Sequence, residues 1–148
     1  MTEDFHPLVR GTAEGRAQVL DEPLSLWGGL DPETGAVIDA HHPQRGTMLS
    51  GRVLVMPFGR GSSSSASTFL EAVRCKTNPA AVVLAETDDI LVLAAIVARA
   101  LYGITVPVVV VSRAAYDSIR TADGLQLGEN SLTVSRDGQT LMSLKASR

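Results

Sequence analysis

The spacing of hydrophobic residues predicts alternating strands and helices through the middle of the chain. Three short apolar runs, Val53–Met56, Pro79–Glu86 and Pro107–Ser112, have the length and valine content typical of buried parallel strands. After the first run, apolar residues recur at helical spacing at positions 69, 70 and 73. After the second, Ile90–Tyr102 is apolar on nearly every side, Asp88 or Asp89 can cap it, and Gly103 ends it. This order predicts a βαβαβ core.

The segments on either side of this core predict further strands. Gly11–Leu20 alternates weakly and is expected to be a strand. Residues 24–27 and 36–39 also alternate, with turn-forming residues between them, which predicts a β-hairpin or a long loop. Arg113–Arg120 is expected to form a short helix. Ser131–Ser135 and Thr140–Lys145 are expected to form a terminal hairpin.

The remaining segments complete the predicted layout. Gly124 and Gly128 are interpreted as turns, and residues 1–10 as a flexible N-terminal arm, which leaves 11–148 as a single domain. The fold class is therefore α/β, with a short parallel core flanked by antiparallel strands. Ligands of such sheets bind beyond the carboxyl ends of the parallel strands. One rim is therefore expected to carry Pro57–Ser64, Glu86–Asp88 and Ser112.

Composition narrows the classes of function. A length of 148 residues suits one domain, and a net charge of −3 gives no electrostatic reason to expect nucleic acid as a partner. A single cysteine, Cys75, excludes an internal disulfide and any cysteine-ligated cluster held by this chain alone. The N-terminus lacks the apolar core of a secretory signal, and the most apolar segment, Ile90–Leu101, is too short to span a bilayer. A cytoplasmic protein that does not enter membranes is expected.

The loop after the first parallel strand is the main candidate for chemistry. Gly59-Arg60-Gly61 precedes four serines, Ser62–Ser65, at the predicted start of a helix. The glycines allow positive φ and close backbone approach, and Ser62 or Ser63 can act as N-cap. The helix N-terminus and the forked cation of Arg60 together suit an anion. The alternative is that these serines only cap and link structural elements.

Other chemistries have weaker signals. The loop lacks the Gly-Lys-Ser/Thr ending of a nucleotide-binding Walker loop. Its spacing of Gly59, Gly61 and Ser64 is only superficially that of a dinucleotide fingerprint, with Glu86 as a candidate ribose partner. Adjacent His41 and His42 would point to opposite sides of an extended chain and make a poor chelating pair. Trp27 is interpreted as a core or rim anchor rather than a residue that stacks on a ligand.

A serine at such a helix start, beside an arginine, also suits proton transfer with a carboxylate substrate. A free hydroxyl is a very weak base, so Arg60 and the helix N-terminus would have to stabilise its alkoxide form. A leaving hydroxyl would then need a Lewis acid from outside this chain.

Several motifs of the chain together resemble the small subunit of aconitase X, the swivelling domain of the aconitase superfamily. They keep their order and spacing over roughly residues 11–112: Trp27–Pro32, His41–Pro43, Gly51–Pro57, Gly59–Ser62, and Pro79–Ala81 through Glu86. The resemblance implies a swivelling β/β/α-type domain. It also implies a hydro-lyase of two chains, in which a large subunit holds an iron–sulfur cluster and the small subunit supplies the catalytic serine.

The resemblance also implies roles for single residues. The proton-accepting serine of the family follows its Gly-Arg-Gly, which places it at Ser62. Arg60 and Gly61, and less firmly Ser63 and Ser64, would bind a small carboxylate or phosphate substrate. The expected substrate is cis-3-hydroxy-L-proline, followed by mevalonate 5-phosphate. The alternative from the residues alone is a non-catalytic module that binds a nucleotide or another anion on the same loop.

Overall fold

The computed structural model describes residues 4–61 and 63–146, and these form eight strands and four helical segments. The strands are β1 (Phe5–Val9), β2 (Ala13–Val19), β3 (Val53–Met56), β4 (Ala81–Leu84), β5 (Val108–Val111), β6 (Gly124–Gly128), β7 (Ser131–Arg136) and β8 (Gln139–Lys145). The helical segments are α1 (Leu26–Gly29), α2 (Ser64–Arg74), α3 (Asp89–Tyr102) and α4 (Arg113–Ser118). No helix in these two stretches has the length and hydrophobicity needed to cross a bilayer.

The strands lie side by side in the order β1-β5-β4-β3-β2-β6-β7-β8. The pairs β2–β3, β3–β4 and β4–β5 are parallel, whereas β1 and β6–β8 pair antiparallel with their neighbours. Strands β3 and β4 are buried at every position, because both faces of the parallel region are covered. The predicted parallel core and the predicted β7–β8 hairpin are confirmed.

The two faces of the parallel region pack against different layers. On one face, Leu54, Val82 and their neighbours share a core with Phe69 of α2 and Leu91 of α3. On the other face, alternate residues such as Val55 pack with apolar residues of β6, β7 and α4. This division into two cores follows from the two-residue period of a strand. The layers are therefore β, β and α, and the predicted mixed α/β class is confirmed.

Strand β2 belongs to both sheet regions. Its second half pairs with β3, beginning with Ala17 opposite Val53, while its first half pairs with β6. The parallel region and the antiparallel region of the sheet therefore meet at β2.

Two expectations about the ends of the chain are wrong. Residues 5–9, expected within a flexible arm, form β1 along β5, and Phe5 is fully buried. Pro7 is tolerated there because β1 is an edge strand. Gly124 and Gly128, expected as turns, begin and end β6, where Leu125 and Leu127 face the core.

The segment between β2 and β3 is a long loop, not a hairpin of residues 24–27 and 36–39. Val37 pairs with Leu30, and Ala36 with Met48, each through an isolated antiparallel β-bridge. Segment α1 is an irregular turn, since Trp27 and Gly28 leave helical backbone angles. Trp27 is 65% exposed and is therefore not a core residue.

Candidate functional site

The loops after β3 and β4 are tied together at the carboxyl edge of the sheet. The carbonyl oxygen of Pro57 accepts hydrogen bonds from the amides of Ala85 and Glu86, both at 3.0 Å. Parallel pairing of β3 with β4 brings both loops to this edge. The expected proximity of this loop to Glu86–Asp88 is therefore present for Pro57–Gly61.

The two glycines of the first loop are needed for different reasons. Gly61 has a φ of 113°, and a Cβ there would lie 2.5 Å from Ser25 Oγ and 3.0 Å from Ser65 Oγ. Gly59 is not in the positive-φ region, but a Cβ there would overlap Oδ2 of Asp88. Neighbouring side chains therefore leave no room for a Cβ at either position, whereas a positive φ favours glycine only at Gly61.

Arg60, between these glycines, presents an exposed side chain on a fixed backbone. Its amide donates to the carbonyl of Leu24 at 3.4 Å, and its backbone bridges Ser25 in parallel. Within residues 4–61 and 63–146, the guanidinium has no ion pair and no hydrogen bond. Its five donors are therefore available to an anion from solution.

The serines that follow have different environments. Ser62 lies outside the residues that the structure describes. Ser63 is exposed at the N-cap of α2, with helical backbone angles and no side-chain capping bond, so the capping prediction for Ser63 is not met. Ser64 is the exposed first residue of α2. Ser65 is only 5% exposed, and its Oγ accepts from the amide of Trp27 at 3.5 Å.

An open depression of about 520 Å³ lies over this junction. It is lined by both loops and by the start of α3: Phe58, Gly59, Gly61, Glu86, Thr87, Asp88, Asp89 and Ile90. A narrow crevice next to it contains Arg60 and Ser65 and shares Gly59, Gly61 and Asp88 with the depression. The lining of the depression carries the carboxylates of Glu86, Asp88 and Asp89. Arg60 and the α2 residue Ser65 lie in the adjoining crevice, and the guanidinium and the amide dipoles at the start of α2 favour an anion on that side of the rim.

Three residues at the rim depart from the sequence analysis. Ser112, expected on the rim, accepts the amide of Ala115 at 3.2 Å as the N-cap of α4, and does not line the depression. Phe58, 39% exposed, lines the depression, and sequence analysis assigned it no role. Ser25 approaches Gly61 only through tertiary folding, so no local pattern could have indicated it.

A larger open depression, about 920 Å³, lies over the antiparallel region and is lined by the first half of β2 and by parts of β6 and β7. Its charged lining includes Asp123 and Arg136, which form an ion pair. The guanidinium of Arg136 donates two hydrogen bonds to the carboxylate of Asp123, at 2.7 and 2.8 Å. The Arg136 guanidinium holds the pKa of the Asp123 carboxyl below its usual range. Since ligands of α/β sheets bind at the carboxyl edge, we place the candidate site at the smaller depression and the crevice that adjoins it.

The described residues do not fit an iron–sulfur cluster or another metal centre. No three of their His, Cys, Asp and Glu side chains are grouped to hold an ion. Cys75 caps the C-terminal end of α2, opposite the serine loop, and burial raises the pKa of its thiol. Buried His42 uses Nε2 toward the carbonyl of Glu22 and Nδ1 toward the amide of Gln44, both at 3.0 Å.

Residues 3–136 match the sequence profile described as the aconitase X swivel domain. A cis-3-hydroxy-L-proline dehydratase of Pseudomonas aeruginosa is 44% identical over 122 residues, which cover 79% of this chain and 21% of that protein. The chain therefore spans about a fifth of the length of this relative. A phosphomevalonate dehydratase small subunit of Methanothermobacter thermautotrophicus is 38% identical, covering 66% of this chain and 75% of that subunit.

A solved structure agrees with the sequence relatives. The holo-form of Thermococcus kodakaraensis aconitase X superposes with a TM-score of 0.73 at 31% identity, covering 82% of this chain and 86% of that one. Fold, sequence profile and relatives all indicate one group of proteins. The chain belongs to the aconitase X swivel-domain family.

Proposed function

We propose that this chain is the small subunit of an aconitase X-type hydro-lyase, and that it works with a large partner subunit. The support is membership of the family, together with relatives named as dehydratases and as small subunits. We propose cis-3-hydroxy-L-proline as the substrate, ahead of mevalonate 5-phosphate. The relative named for the first reaction is 44% identical, against 38% for the Methanothermobacter relative named for the second.

The observation that carries the proposal is the guanidinium of Arg60, which has no ion pair or hydrogen bond with residues 4–61 and 63–146 and lies near the start of α2. Both proposed substrates carry a carboxylate, and the second also carries a phosphate. Arg60 would bind such a group through two parallel N–H···O bonds. Gly61, Ser63 and Ser64 would complete the anion site with backbone and hydroxyl groups, since Ser63 and Ser64 are exposed at the N-terminus of the helix.

Ser62 follows Gly61 directly and precedes the N-cap residue Ser63. We assign it the role of proton acceptor. Its alkoxide would take the α-proton of cis-3-hydroxy-L-proline, the electrons of that C–H bond would form a C2–C3 double bond, and the 3-hydroxyl would leave. The neighbouring guanidinium and the amide dipoles of α2 would lower the cost of forming an alkoxide in this loop.

The leaving hydroxyl needs an electrophile that the described residues of this chain do not provide. We propose that an iron–sulfur cluster on the large subunit supplies it, as a Lewis acid toward the hydroxyl oxygen. The role of this chain would then be to bind the anionic end of the substrate, to accept the proton and to close the site from water.

The test is dehydration by the complex reconstituted from this chain and the large subunit of the same organism. Ser62→Ala should lower kcat by about a hundredfold or more, as expected for loss of a general base. Ser143→Ala, at an exposed serine of β8 outside the candidate site, serves as the matched control and should retain full turnover. Near-normal turnover of the Ser62→Ala complex would remove Ser62 from the mechanism.

Two further measurements address the substrate and the alternative function. Parallel assays with cis-3-hydroxy-L-proline and mevalonate 5-phosphate should show turnover of the first substrate only. Titration of the isolated chain with nucleotides addresses the alternative of an anion-binding module. Tight nucleotide binding without a partner, combined with no dehydration by the complex, would replace the proposed function.

A further inference from the structure

Two exposed aromatic side chains flank the Arg60 loop. Phe58 precedes Gly59 and is 39% exposed, and Trp27, on the segment that bridges Arg60, is 65% exposed. We call Trp27 and Phe58 the aromatic rim patch. We infer that this patch is where the large subunit docks, with Trp27 as the main anchor. The inference rests on the proposed function.

Trp27 is exposed on a turn whose backbone is fixed at several points. Its amide donates to the buried Oγ of Ser65 at 3.5 Å, and its carbonyl accepts from Ser25 Oγ at 3.2 Å. The turn closes with the amide of Leu30 donating to the carbonyl of Leu26 at 3.0 Å. A large aromatic side chain on an ordered backbone loses little conformational entropy on association, so it suits an interface anchor.

The choice of occupant follows from the chemistry and from the relatives. The proposed elimination needs a cofactor on another chain within reach of Ser62, so the surface around that loop has to be covered. The Pseudomonas relative aligns with this chain over only 21% of its length, so most of that protein lies outside the matched region. The Methanothermobacter relative is named as a small subunit. A large subunit is therefore the partner that fits this position.

Helix α3 offers a competing apolar surface. Leu93, Ile96 and Leu101 are exposed along its outer side, and Leu101 is 63% exposed. Only the first residues of α3 line the depression. Leu101 lies twelve residues after Asp89, which places it roughly 18 Å along the helix axis from the rim. A partner that covers the Arg60 loop contacts the aromatic rim patch whether or not it extends along α3.

The first experiment uses the unmutated chain. Because the sequence has one tryptophan, labelling with 5-fluorotryptophan gives a single ¹⁹F resonance that reports on Trp27. Addition of the unlabelled, cluster-loaded large subunit should shift and broaden this resonance and protect it from a soluble paramagnetic quencher. An unchanged shift and unchanged quenching in a complex verified by size would overturn the inference.

Affinity measurements with two variants provide the second experiment. Trp27→Ala should weaken binding of the large subunit about 30-fold, the loss typical of an interface anchor. Leu101→Ala, at a residue of equal exposure on α3, should change the affinity less than threefold. The reverse order would assign the interface to α3, and no loss in either variant would also overturn the inference. Thermal melts of the free variants check that both are folded.

Failure of this inference can be separated from failure of the proposed function. If the complex forms and dehydrates its substrate while Trp27 stays exposed, only the docking surface is wrong. If the chain forms no complex with the large subunit and no dehydration occurs, the proposed function is wrong, and the inference fails with it.

Discussion

Gly59 and Asp88 are so close that a Cβ on residue 59 would overlap Oδ2 of Asp88. The other oxygen, Oδ1, accepts the amides of Ile90 and Leu91 at 3.0 and 3.1 Å, as the N-cap of α3. The carboxylate of Asp88 therefore contacts the Arg60 loop and also caps the start of α3. A methyl group at position 59 would displace the cap, the loop or both.

This contact predicts that Gly59→Ala lowers the free energy of unfolding by about 1–2 kcal/mol, the usual cost of a lost N-cap. It also predicts strong coupling with Asp88, because the collision needs both groups. In an Asp88→Ala background, Gly59→Ala should cost less than half as much. Urea unfolding of the two single variants and the double variant measures this coupling. Additive losses would show that the Asp88 carboxylate is not what excludes a side chain at Gly59.

Arg60→Ala should impair substrate binding while leaving the fold intact, because the guanidinium has no partner among the described residues. Loss of a charge-assisted pair to a carboxylate corresponds to roughly 10- to 100-fold in kcat/KM. Arg60→Lys should recover only part of this, since lysine keeps the charge but not the fork. The measurement is steady-state kinetics of the reconstituted complex.

Lys145→Gln is the charge-matched control for Arg60→Ala. Lys145 is exposed at the end of β8, on the far side of the antiparallel region. Its loss lowers the net charge by the same amount without touching the rim. Equal losses of kcat/KM in both variants would indicate a long-range charge effect and would contradict direct binding by Arg60.

Local sequence patterns predicted most of the parallel region of the sheet. The runs in β3, β4 and β5 were predictable because strands covered on both faces need apolar residues at every position. The proximity of Gly59 to Glu86–Asp88 followed from parallel pairing alone. Strand β6 was missed because its two glycines were interpreted as turns, although Leu125 and Leu127 already had the period of a strand.

Other features of the site could not be predicted. The approach of Ser25 to Gly61 joins residues 36 positions apart and depends on how the long loop folds back. The exposure of Trp27 is also a tertiary property, since an isolated tryptophan in an alternating segment usually indicates burial. The interpretation of Gly59 was only half correct. A glycine is needed there because Asp88 leaves no room for a Cβ, and not because the backbone has a positive φ.

The ion pair of Asp123 and Arg136 predicts a dependence of stability on acid pH. Asp123 is 3% exposed and also accepts the amide of Arg120 at 2.8 Å. Arg136 lowers the pKa of Asp123 in the folded chain. The ion pair therefore stabilises the fold fully at pH values above the pKa of an unfolded aspartate, which is about 3.9. As pH falls toward the folded pKa, the carboxyl becomes protonated and the stabilisation is lost.

Asp123→Asn should therefore reduce stability at pH 7 by about 3 kcal/mol, as for breaking a largely buried pair, and flatten the decline between pH 5 and pH 2. Asp117→Asn is the control, since Asp117 and Arg113 form an exposed pair at 3.5 Å worth at most about 0.5 kcal/mol. Urea titrations at several pH values measure both. If the stability of Asp123→Asn fell as steeply between pH 5 and pH 2 as that of the unmutated chain, the pH dependence could not be assigned to Asp123.

Adjacent His41 and His42 should respond very differently to the same substitution. Nδ1 of His42 accepts the amide of Gln44, so Nε2 carries the proton that is donated to the carbonyl of Glu22. His42→Gln should cost about 1–3 kcal/mol of folding stability, because buried backbone groups lose a partner. Exposed His41→Gln should cost less than about 0.5 kcal/mol. Metal analysis of the reconstituted complex should find iron unchanged in both, and a loss of iron with full stability in His42→Gln would contradict a purely structural histidine.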